Sequence, residues 1–394
     1  MTNTTIRQIQ GDEMLEIMSW LPMYAFRASP PLSDKAERQE QLRQRQGFTY
    51  FAAFEDGAPV ACAAAEPFTQ NVRTALFGMS GISNVATHPA ARRKGHARSM
   101  LAQLWAAVRD DGQVFSCLYP FRESFYERLG YVTLPLSRKC TLKPAALLPL
   151  LKKDLGGAVE MMLIGDGYDS YHDFLCTLRP RIHGMAIFDH PDKAGAQRNR
   201  FWLALAKSGG EVVGAMLYQL SGEQIADFTM SIRRFYYLTS EGKYLLLAWI
   251  ARHVDQASRV NLLLPAFEHA ETWLDDLQIS AEPVAIPPMG RVLDVAKIGG
   301  MHTGPGRFAA RLSDPICPWN EGVWQFETAA GVLHVGPADK ADCDLGIQAI
   351  AALTYGTQDP GDFAIRGWGN PSPALQETMR SMFPPLVPYL HESF

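Results

Sequence analysis

The 394-residue sequence predicts a mixed α/β protein of three domains, the first two of which share one pattern. In the first third of the chain, β-like runs, an amphipathic helix and further β-like runs follow one another. A similar succession returns in the middle third, and a separate group of strand-like runs and helices closes the chain. The predicted domain boundaries are 1–140, 141–285 and 286–394.

Composition restricts the function classes. The chain is 47% hydrophobic and 20% charged, with a net charge of −4, so no general positive field favours nucleic acid as a partner. The six cysteines are scattered without a C-x-x-C pair, which indicates a reducing cytoplasmic location and no metal site. Apolar runs stay shorter than the ~18 residues that a membrane span needs, so we expect no membrane insertion.

The first domain begins with predicted helices over 12–47, broken at Pro30-Pro31 and ended by Gly47. Two β-like runs then flank 55–57, "EDG", a pattern typical of a hairpin. The run "ALFGMSGISNVAT" is a third strand, and it leads into "HPAARRKGHA". This order predicts a sheet whose third strand delivers the chain to a helix.

A helix is predicted after that joint, in "RSMLAQLWAAVRDDG", and it ends before Gly112. Its apolar residues follow helical spacing and should face the core: Met100, Leu101, Leu104, Trp105 and Val108. The run "QVFSCLYP" is strand-like, "FRESFYERLGY" is a short helix ended by Gly130, and "YVTLPLSRKCTL" continues as a strand.

The middle region looks like a second copy of the first. "EDGAPVACA" resembles "SGGEVVGAM" at an offset of 153, and residues 99–120 match the apolar pattern of 244–265 at an offset of 145. The second copy is therefore eight residues shorter between hairpin and helix, where "YYLTSEGK" replaces the basic joint. Chance alignment of two apolar patterns is the alternative interpretation.

The basic joint has the chemistry of an anion site. A strand that ends in a turn before a helix presents free backbone N–H groups and the positive end of the helix dipole. Gly95 lets a phosphate approach the backbone, and Arg92, Arg93 and Lys94 add positive charge. The sequence lacks both G-x-x-x-x-G-K-[ST] and G-x-G-x-x-G here, which disfavours nucleoside triphosphates and dinucleotides. A solvated basic helix start is the alternative.

The pattern Arg92-x-x-Gly95-x-Ala97 after "ISNVAT" resembles the acetyl-coenzyme A motif of the GNAT N-acetyltransferase superfamily. The resemblance implies that loop amides hold the pyrophosphate and that the preceding strand pairs with the pantetheine arm. The coenzyme contacts that it implies are Val85, Ala86, Thr87, Arg92, Arg93, Lys94, Gly95, His96 and Ala97.

The whole chain resembles the Eis (enhanced intracellular survival) family. Its sequence matches an active GNAT-like domain with "FYERLGY", then a degenerate second GNAT-like domain, and then a last domain whose "PWNEGVWQF" resembles sterol carrier proteins. The family implies Tyr126 as general acid and the α-carboxylate of Phe394 as base or orienting group. It further implies a cationic acceptor, either an aminoglycoside-like or polyamine-like molecule or a lysine side chain, and a ring-like homo-oligomer such as a hexamer.

Other interpretations of the same residues remain. Tyr126 could be an ordinary core tyrosine, and a chain end such as Phe394 usually frays. Cys117 lies in an apolar strand pattern and is expected in the core. The rival function is a non-catalytic lipid-carrying or interaction protein that uses the last domain. The intact joint at Arg92–Ala97 favours the enzyme, because the second copy lacks it.

Overall fold

The computed structural model describes residues 3–27, 34–199, 201–284, 286–392 and 394. The predicted helix break at Pro30-Pro31 lies outside these residues. The chain forms two compact units: unit 1 comprises Met1–Leu134, His183–His190 and Pro288–Phe394, and unit 2 comprises Pro135–Ile182 and Pro191–Pro287. Within the described ranges, no helix combines the length and the apolar character that crossing a membrane requires.

The first part of the chain carries the elements that surround the basic joint. They are β1 (Thr4–Gln8), α1 (Gly11–Phe26), α2 (Lys35–Arg43), β2 (Thr49–Glu55), β3 (Ala58–Val72), β4 (Ala75–Thr87), α3 (His96–Asp110), β5 (Phe115–Leu118), α4 (Glu123–Glu127) and β6 (Val132–Thr133).

The middle part repeats this succession with different lengths. Its elements are β7 (Arg138–Leu142), β8 (Ala158–Leu163), α5 (Ile164–Leu178), β9 (Ala186–Phe188), α6 (Lys193–Asn199), β10 (Trp202–Ser208), β11 (Glu211–Ser221), β12 (Phe228–Tyr237), α7 (Ser240–Ala251), β13 (Ala257–Leu264) and β14 (Ser280–Pro283).

The last part adds one strand to the first sheet and builds a smaller sheet of its own. Its elements are β15 (Met289–Val292), β16 (Arg307–Ser313), β17 (Gly322–Ala329), β18 (Val332–Pro337), β19 (Cys343–Gly346), α8 (Ile347–Tyr355), α9 (Phe363–Arg366) and α10 (Pro373–Met382). The small sheet has the order β18-β17-β16-β19.

Local signals in the first copy are confirmed. Asp56 and Gly57 both have positive φ, 48° and 84°, and join β2 to β3 as the two-residue turn that the sequence predicts. The predicted core face of α3 is buried in full: Met100, Leu101, Leu104, Trp105 and Val108. This packing fixes the start of α3 at the end of β4.

Two strands, β7 and β15, join the sheet that is not formed by their neighbours in sequence. The unit 1 sheet has the order β1-β2-β3-β4-β5-β15-β6, and β9 pairs with β3. The unit 2 sheet has the order β8-β10-β11-β12-β13-β7-β14, which is the same plan with β7 where unit 1 has β15. The mixed α/β class and the repeated pattern are therefore confirmed. The boundaries predicted at 140 and 285 lie near the points where the chain changes sheet, and the first falls inside β7.

The core of unit 1 joins the first sheet to the small one. Phe68 of β3, Phe115 of β5, Phe326 of β17 and Tyr355 of α8 belong to one cluster of buried residues. Arg291 of β15 is fully buried and donates to Asp314 at 2.6 Å, so its charge is neutralised inside the protein. Leu390 belongs to the same cluster, and Phe394 packs against it.

Candidate active site

The site begins where β4 and β5 separate. The two strands run parallel and pair from Met79–Phe115 to Ile82–Leu118, where β5 ends. β4 continues to Thr87 and stays paired with β3 on its other side. The positive φ of Asn84, 54°, accompanies a shift of register there. The strand segment Val85–Thr87 thus lies beyond the end of β5, where an extended ligand can pair with its backbone.

The joint between β4 and α3 turns the backbone toward the same opening. A short 3₁₀ turn, Pro89–Ala91, follows β4 and is anchored by buried Ala91. Arg93 and Gly95 then have positive φ, 64° and 90°. Alternating left-handed residues direct successive N–H groups to one point, which is a common way to bind an anion. A Cβ built on Gly95 meets no atom within 4 Å, so the space beside its backbone is open.

Gly95 is also the N-cap residue of α3. It has no side chain to accept hydrogen bonds from the first-turn amides, so these N–H groups face the open space together with the positive end of the helix dipole. Ala97, in the first turn, is small and partly buried. This is the arrangement expected for a phosphate or pyrophosphate.

The cationic side chains of the joint divide into two groups. Arg92 and Arg93 are exposed, and Arg92 Nε makes a long contact of 3.4 Å to the carbonyl oxygen of Thr87. Lys94 Nζ instead donates to both oxygens of Glu55, at 3.0 and 2.9 Å, and His96 Nε2 lies 2.7 Å from the same carboxylate. The contact with Lys94, followed by that with His96, lowers the pKa of Glu55. Sequence reasoning missed Glu55, which ties the joint to the end of β2.

Tyr126 lies on α4 among aromatic rings. It is 3% exposed, with ring centroids 5.0 Å from Phe125, 5.7 Å from Phe121 and 5.9 Å from Tyr131. Burial raises the pKa of Tyr126 above its ordinary value, which keeps its phenol protonated at neutral pH. The group can therefore serve as a proton donor.

The chain's last residue lies at the same opening of the sheet. The Phe394 ring packs 5.0 Å from Phe68 and 5.8 Å from Tyr119, and Tyr119 OH donates to the carbonyl oxygen of Glu392 at 3.0 Å. A Cβ on Gly81 of β4 would come within 3.0 Å of the Phe394 ring, so a glycine is needed beneath it. Nothing in the sequence pattern singles out Gly81 or Tyr119 for this contact.

Tyr126 and Phe394 approach the opening from opposite faces of the sheet. Tyr126 shares a buried cluster with Ile82, Leu118 and the inner face of α3. Phe394 packs on the cluster that contains Phe68 and Cys117. Neighbouring residues of a strand point to opposite faces of the sheet. Gly81 therefore faces Phe394 and Ile82 faces Tyr126, at the same point along β4. Cys117 is buried, as predicted.

Among the residues that the structure describes, no group of three or more His, Cys, Asp or Glu side chains is arranged to hold a metal ion.

Comparison with known proteins identifies the first domain. The acetyltransferase (GNAT) domain family matches residues 5–134. This chain carries a GNAT domain and is an acetyltransferase. The sterol carrier protein domain family matches residues 301–391, which confirms the predicted nature of the last domain. No curated protein matches the sequence.

Solved structures share the architecture over the whole of both chains. They include a protein from Enterococcus faecalis (20% identity, TM-score 0.85), a GCN5-related N-acetyltransferase from Anabaena variabilis (16%, 0.84) and Eis1 from Mycobacterium abscessus (14%, 0.75). At these identities the likeness establishes the fold. GNAT acetyltransferases use acetyl-coenzyme A as their co-substrate, and the open strand edge and the Gly95 joint suit its pantetheine and pyrophosphate parts.

Proposed function

We propose that this acetyltransferase moves the acetyl group of acetyl-coenzyme A to a primary amine, as an enzyme of the Eis family. The observation that carries the proposal is the opening between β4 and β5, with the Gly95 joint at its end and Tyr126 and Phe394 on opposite faces. A donor cofactor can enter along β4 from one side, while an amine approaches from the other.

Each predicted coenzyme residue has a part in this arrangement. The backbone of Val85, Ala86 and Thr87 pairs with the pantetheine arm, and the amides between Arg92 and Ala97 hold the pyrophosphate. Arg92 and Arg93 are free to swing onto the phosphates because they are exposed. Lys94 and His96 contribute through their N–H groups, while their side chains fix the joint to Glu55.

The transfer is a direct attack. The amine nitrogen forms a bond to the thioester carbonyl carbon, the C–S bond breaks, and the sulfur leaves with a proton from Tyr126. Burial raises the pKa of Tyr126, so the phenol is a weaker acid than the departing thiol, whose ordinary pKa is about 8.5, and the proton transfer proceeds only because the acyl transfer is favourable overall. A general acid of this kind contributes about 10²- to 10⁴-fold to the rate.

The terminal carboxylate has the complementary task. An α-carboxyl with a pKa of about 3.5 is anionic at neutral pH, so it attracts and orients the acceptor's ammonium. It then receives the proton that the amine loses, directly or through water. Packing of the Phe394 ring on Phe68 and Tyr119 holds the carboxylate on the acceptor side.

The proposal extends to location and assembly. All six cysteines are free in the structure, which supports the cytoplasm as the compartment. By analogy with the Eis family, we propose a homo-oligomer. The acceptor is an amine of a small molecule or of a lysine side chain, and analogy favours a cationic one.

A coupled assay tests the reaction. Thiol release from acetyl-coenzyme A is measured with a panel of primary amines and lysine peptides, and the acetylated product is identified and quantified by mass spectrometry. We expect thiol and acetylated amine in equal amounts. If no amine is acetylated and calorimetry detects no acetyl-coenzyme A binding, the proposed reaction is wrong. The rival function, lipid carriage or interaction through the sterol carrier domain, would then be favoured.

A second test addresses the terminal carboxylate. Two glycines added after Phe394 move the carboxylate away from the opening and should lower kcat/KM by at least about tenfold, with unchanged coenzyme affinity. Phe394→Leu keeps the carboxylate and should retain most of the activity. Equal kinetics for the extended and natural chains would remove the carboxylate from the mechanism.

A further inference from the structure

A group of polar side chains lies on the same sheet face as Phe394. Tyr50 of β2 pairs with Ala64 of β3, which pairs with Ser83 of β4. Glu66, two residues after Ala64, pairs with Gly81, the residue beneath the Phe394 ring. Directly opposed residues of antiparallel strands share a face, so Tyr50, Glu66 and Ser83 all face the acceptor side.

Three buried hydrogen-bond donors, one from Tyr50 and two from arginines whose charges act on Tyr50 and Glu66, have no hydrogen-bond partner within the described part of the chain. They are Tyr50 OH, Arg38 Nε and Arg45 Nη1, and each atom is buried. Tyr50 is 6% exposed, and burial raises its pKa to about 12. Arginine stays charged at neutral pH, so all three groups can donate a hydrogen bond to an acceptor atom of a ligand. We call these three residues the donor cluster.

The charges around the donor cluster favour a negative ligand group. Arg45 Nη1 lies 3.7 Å from Glu66 Oε1, an oxygen that also accepts from Ser83 Oγ at 3.0 Å. Glu66 therefore offsets one guanidinium and links the donor cluster to β4. Arg38 keeps its charge, with Arg27 as a further positive neighbour at the exposed end. A planar carboxylate can accept from a guanidinium and a phenol together.

We infer that the donor cluster is a subsite for a carboxylate on the acceptor, so that the acceptor is an amino carboxylate rather than a polycation. The inference rests on the proposed transfer to a primary amine, and it departs from the cationic acceptor that analogy with the Eis family favours. A second ammonium at this position would meet Arg38 and Arg45 and be repelled. Ser83 follows Ile82 on β4, where the opening begins. Tyr50 lies two strands away from Ser83, a backbone distance of about 10 Å. Several carbons must therefore separate the acceptor's carboxylate, at Tyr50, from its reacting amine, at the opening.

Three six-carbon probes test the subsite: 6-aminohexanoate, 1,6-diaminohexane and hexylamine. Their binding to the full chain is measured by calorimetry in low salt, and their acetylation by thiol release. We expect 6-aminohexanoate to bind at least tenfold more tightly than 1,6-diaminohexane. Arg38→Gln should remove that preference and leave hexylamine binding unchanged.

Two further variants make the result specific. Arg43→Gln alters an exposed arginine of the same helix, paired with Glu40 at 3.4 Å, and should keep the full preference. Tyr50→Phe keeps the buried ring and removes one donor, so it should reduce the preference even if Arg38→Gln proves unstable. Equal or tighter binding of 1,6-diaminohexane by the natural chain would overturn the inference, as would a preference that survives both Arg38→Gln and Tyr50→Phe.

Hexylamine separates this inference from the proposed function. If hexylamine is acetylated and the carboxylated probe has no advantage, only the subsite is wrong. If no probe is acetylated but 6-aminohexanoate binds in an Arg38-dependent manner, the subsite stands and the proposed transfer fails.

Discussion

Two connections leave the same position in the two large sheets and reach their helices in different ways. In unit 1, residues 88–95 join β4 to α3, whereas in unit 2 only 238–239 join β12 to α7. Both sheets continue from this point through a helix to a parallel strand, β5 or β13. Most of the shortening that the sequence indicates therefore falls in the connection itself.

The starts of the two helices differ in what their amides do. In unit 2 the side chain of Thr239 accepts from the N–H of Gly242 at 3.1 Å, and a Cβ on Gly242 would collide with the carbonyl oxygen of Val213. In unit 1 the cap is Gly95, which offers no side chain and has open space beside it. One helix start is closed by its own chain, and the other is open to a ligand.

The same contrast continues after the helix. In unit 1, β5 is followed by α4 with Tyr126, whereas in unit 2 the turn after β13, Ala270–Thr272, contains no tyrosine. We therefore propose that the shared sheet serves as a scaffold and that the chemistry lies in the segments attached to it. The predictions below test that division.

The largest effect should come from Gly95→Val. A β-branched residue at a φ of 90° is strained and fills the space beside the helix start, so acetyl-coenzyme A affinity should fall by roughly 100-fold or more. Gly210→Val is the matched control, because Gly210 has a φ of 88° and equally open surroundings in unit 2. It should cost similar stability and leave coenzyme affinity unchanged. Equal losses of affinity in both variants would mean that strain, and not the joint, explains the result.

Tyr126→Phe should lower kcat by about 10²-fold and change coenzyme affinity less than twofold, because only the proton donor is lost. Tyr131→Phe is the control within the same aromatic cluster. Tyr131 OH lies 2.7 Å from Ser116 Oγ, so its removal should cost about 1 kcal/mol of stability and leave kcat unchanged. Stopped-flow thiol release measures both. A larger loss of kcat for Tyr131→Phe would show that Tyr131, and not Tyr126, donates the proton.

Acid should destabilise unit 1 through His183. Its Nδ1 accepts from the N–H of Arg73 at 3.1 Å, and its Nε2 donates to the carbonyl oxygen of Tyr355 at 3.0 Å. Burial, and then the charge of Arg73, lower the pKa of His183 from 6.5 to about 4. The unfolded chain takes up the proton first as the pH falls, so this stability is present above about 6.5 and is lost between 6.5 and 4.

Because His183 is only partly buried as a residue, we expect about 2 kcal/mol from this linkage. Urea unfolding of the natural chain and of His183→Asn at several pH values measures this contribution to the free energy of unfolding. His334→Asn is the control, because His334 is exposed. The variant should be less stable at pH 7 and show a flatter pH dependence. The same slope in both chains would exclude His183 as the source.

The smallest effect is expected from Thr239→Ala in unit 2. Loss of the cap should cost about 1 kcal/mol of stability. Coenzyme binding should not change, because we propose that the coenzyme binds at the start of α3 in unit 1. Thermal unfolding and calorimetry on the same preparation test both statements. A change in coenzyme affinity would show that unit 2 takes part in binding.

Local features of the fold and site were predictable from sequence, and long-range ones were not. The Asp56-Gly57 turn, the buried face of α3 and the glycine before it follow from backbone preference and periodicity. The exchange of β7 and β15 was not visible, because alternation shows which face of a strand is buried and not which sheet it joins.

The same limit applies to the site. Glu55 lies 39 residues from Lys94 in sequence, and the Glu66–Ser83 contact joins two separate strands. Such contacts depend on register and on the path of the chain, which a pattern of residue types does not specify. The resemblance to a family supplied Tyr126 and Phe394, and the structure added their placement on opposite faces of one opening.

The most direct test of the central claim is the number of acetyl-coenzyme A molecules bound per chain. Calorimetric titration of the natural chain should give one site, and Gly95→Val should weaken that site by roughly 100-fold or more while Gly210→Val retains it. Two sites per chain, or a single site whose affinity is the same in Gly95→Val, would contradict the proposal that only the connection between β4 and α3 holds the coenzyme.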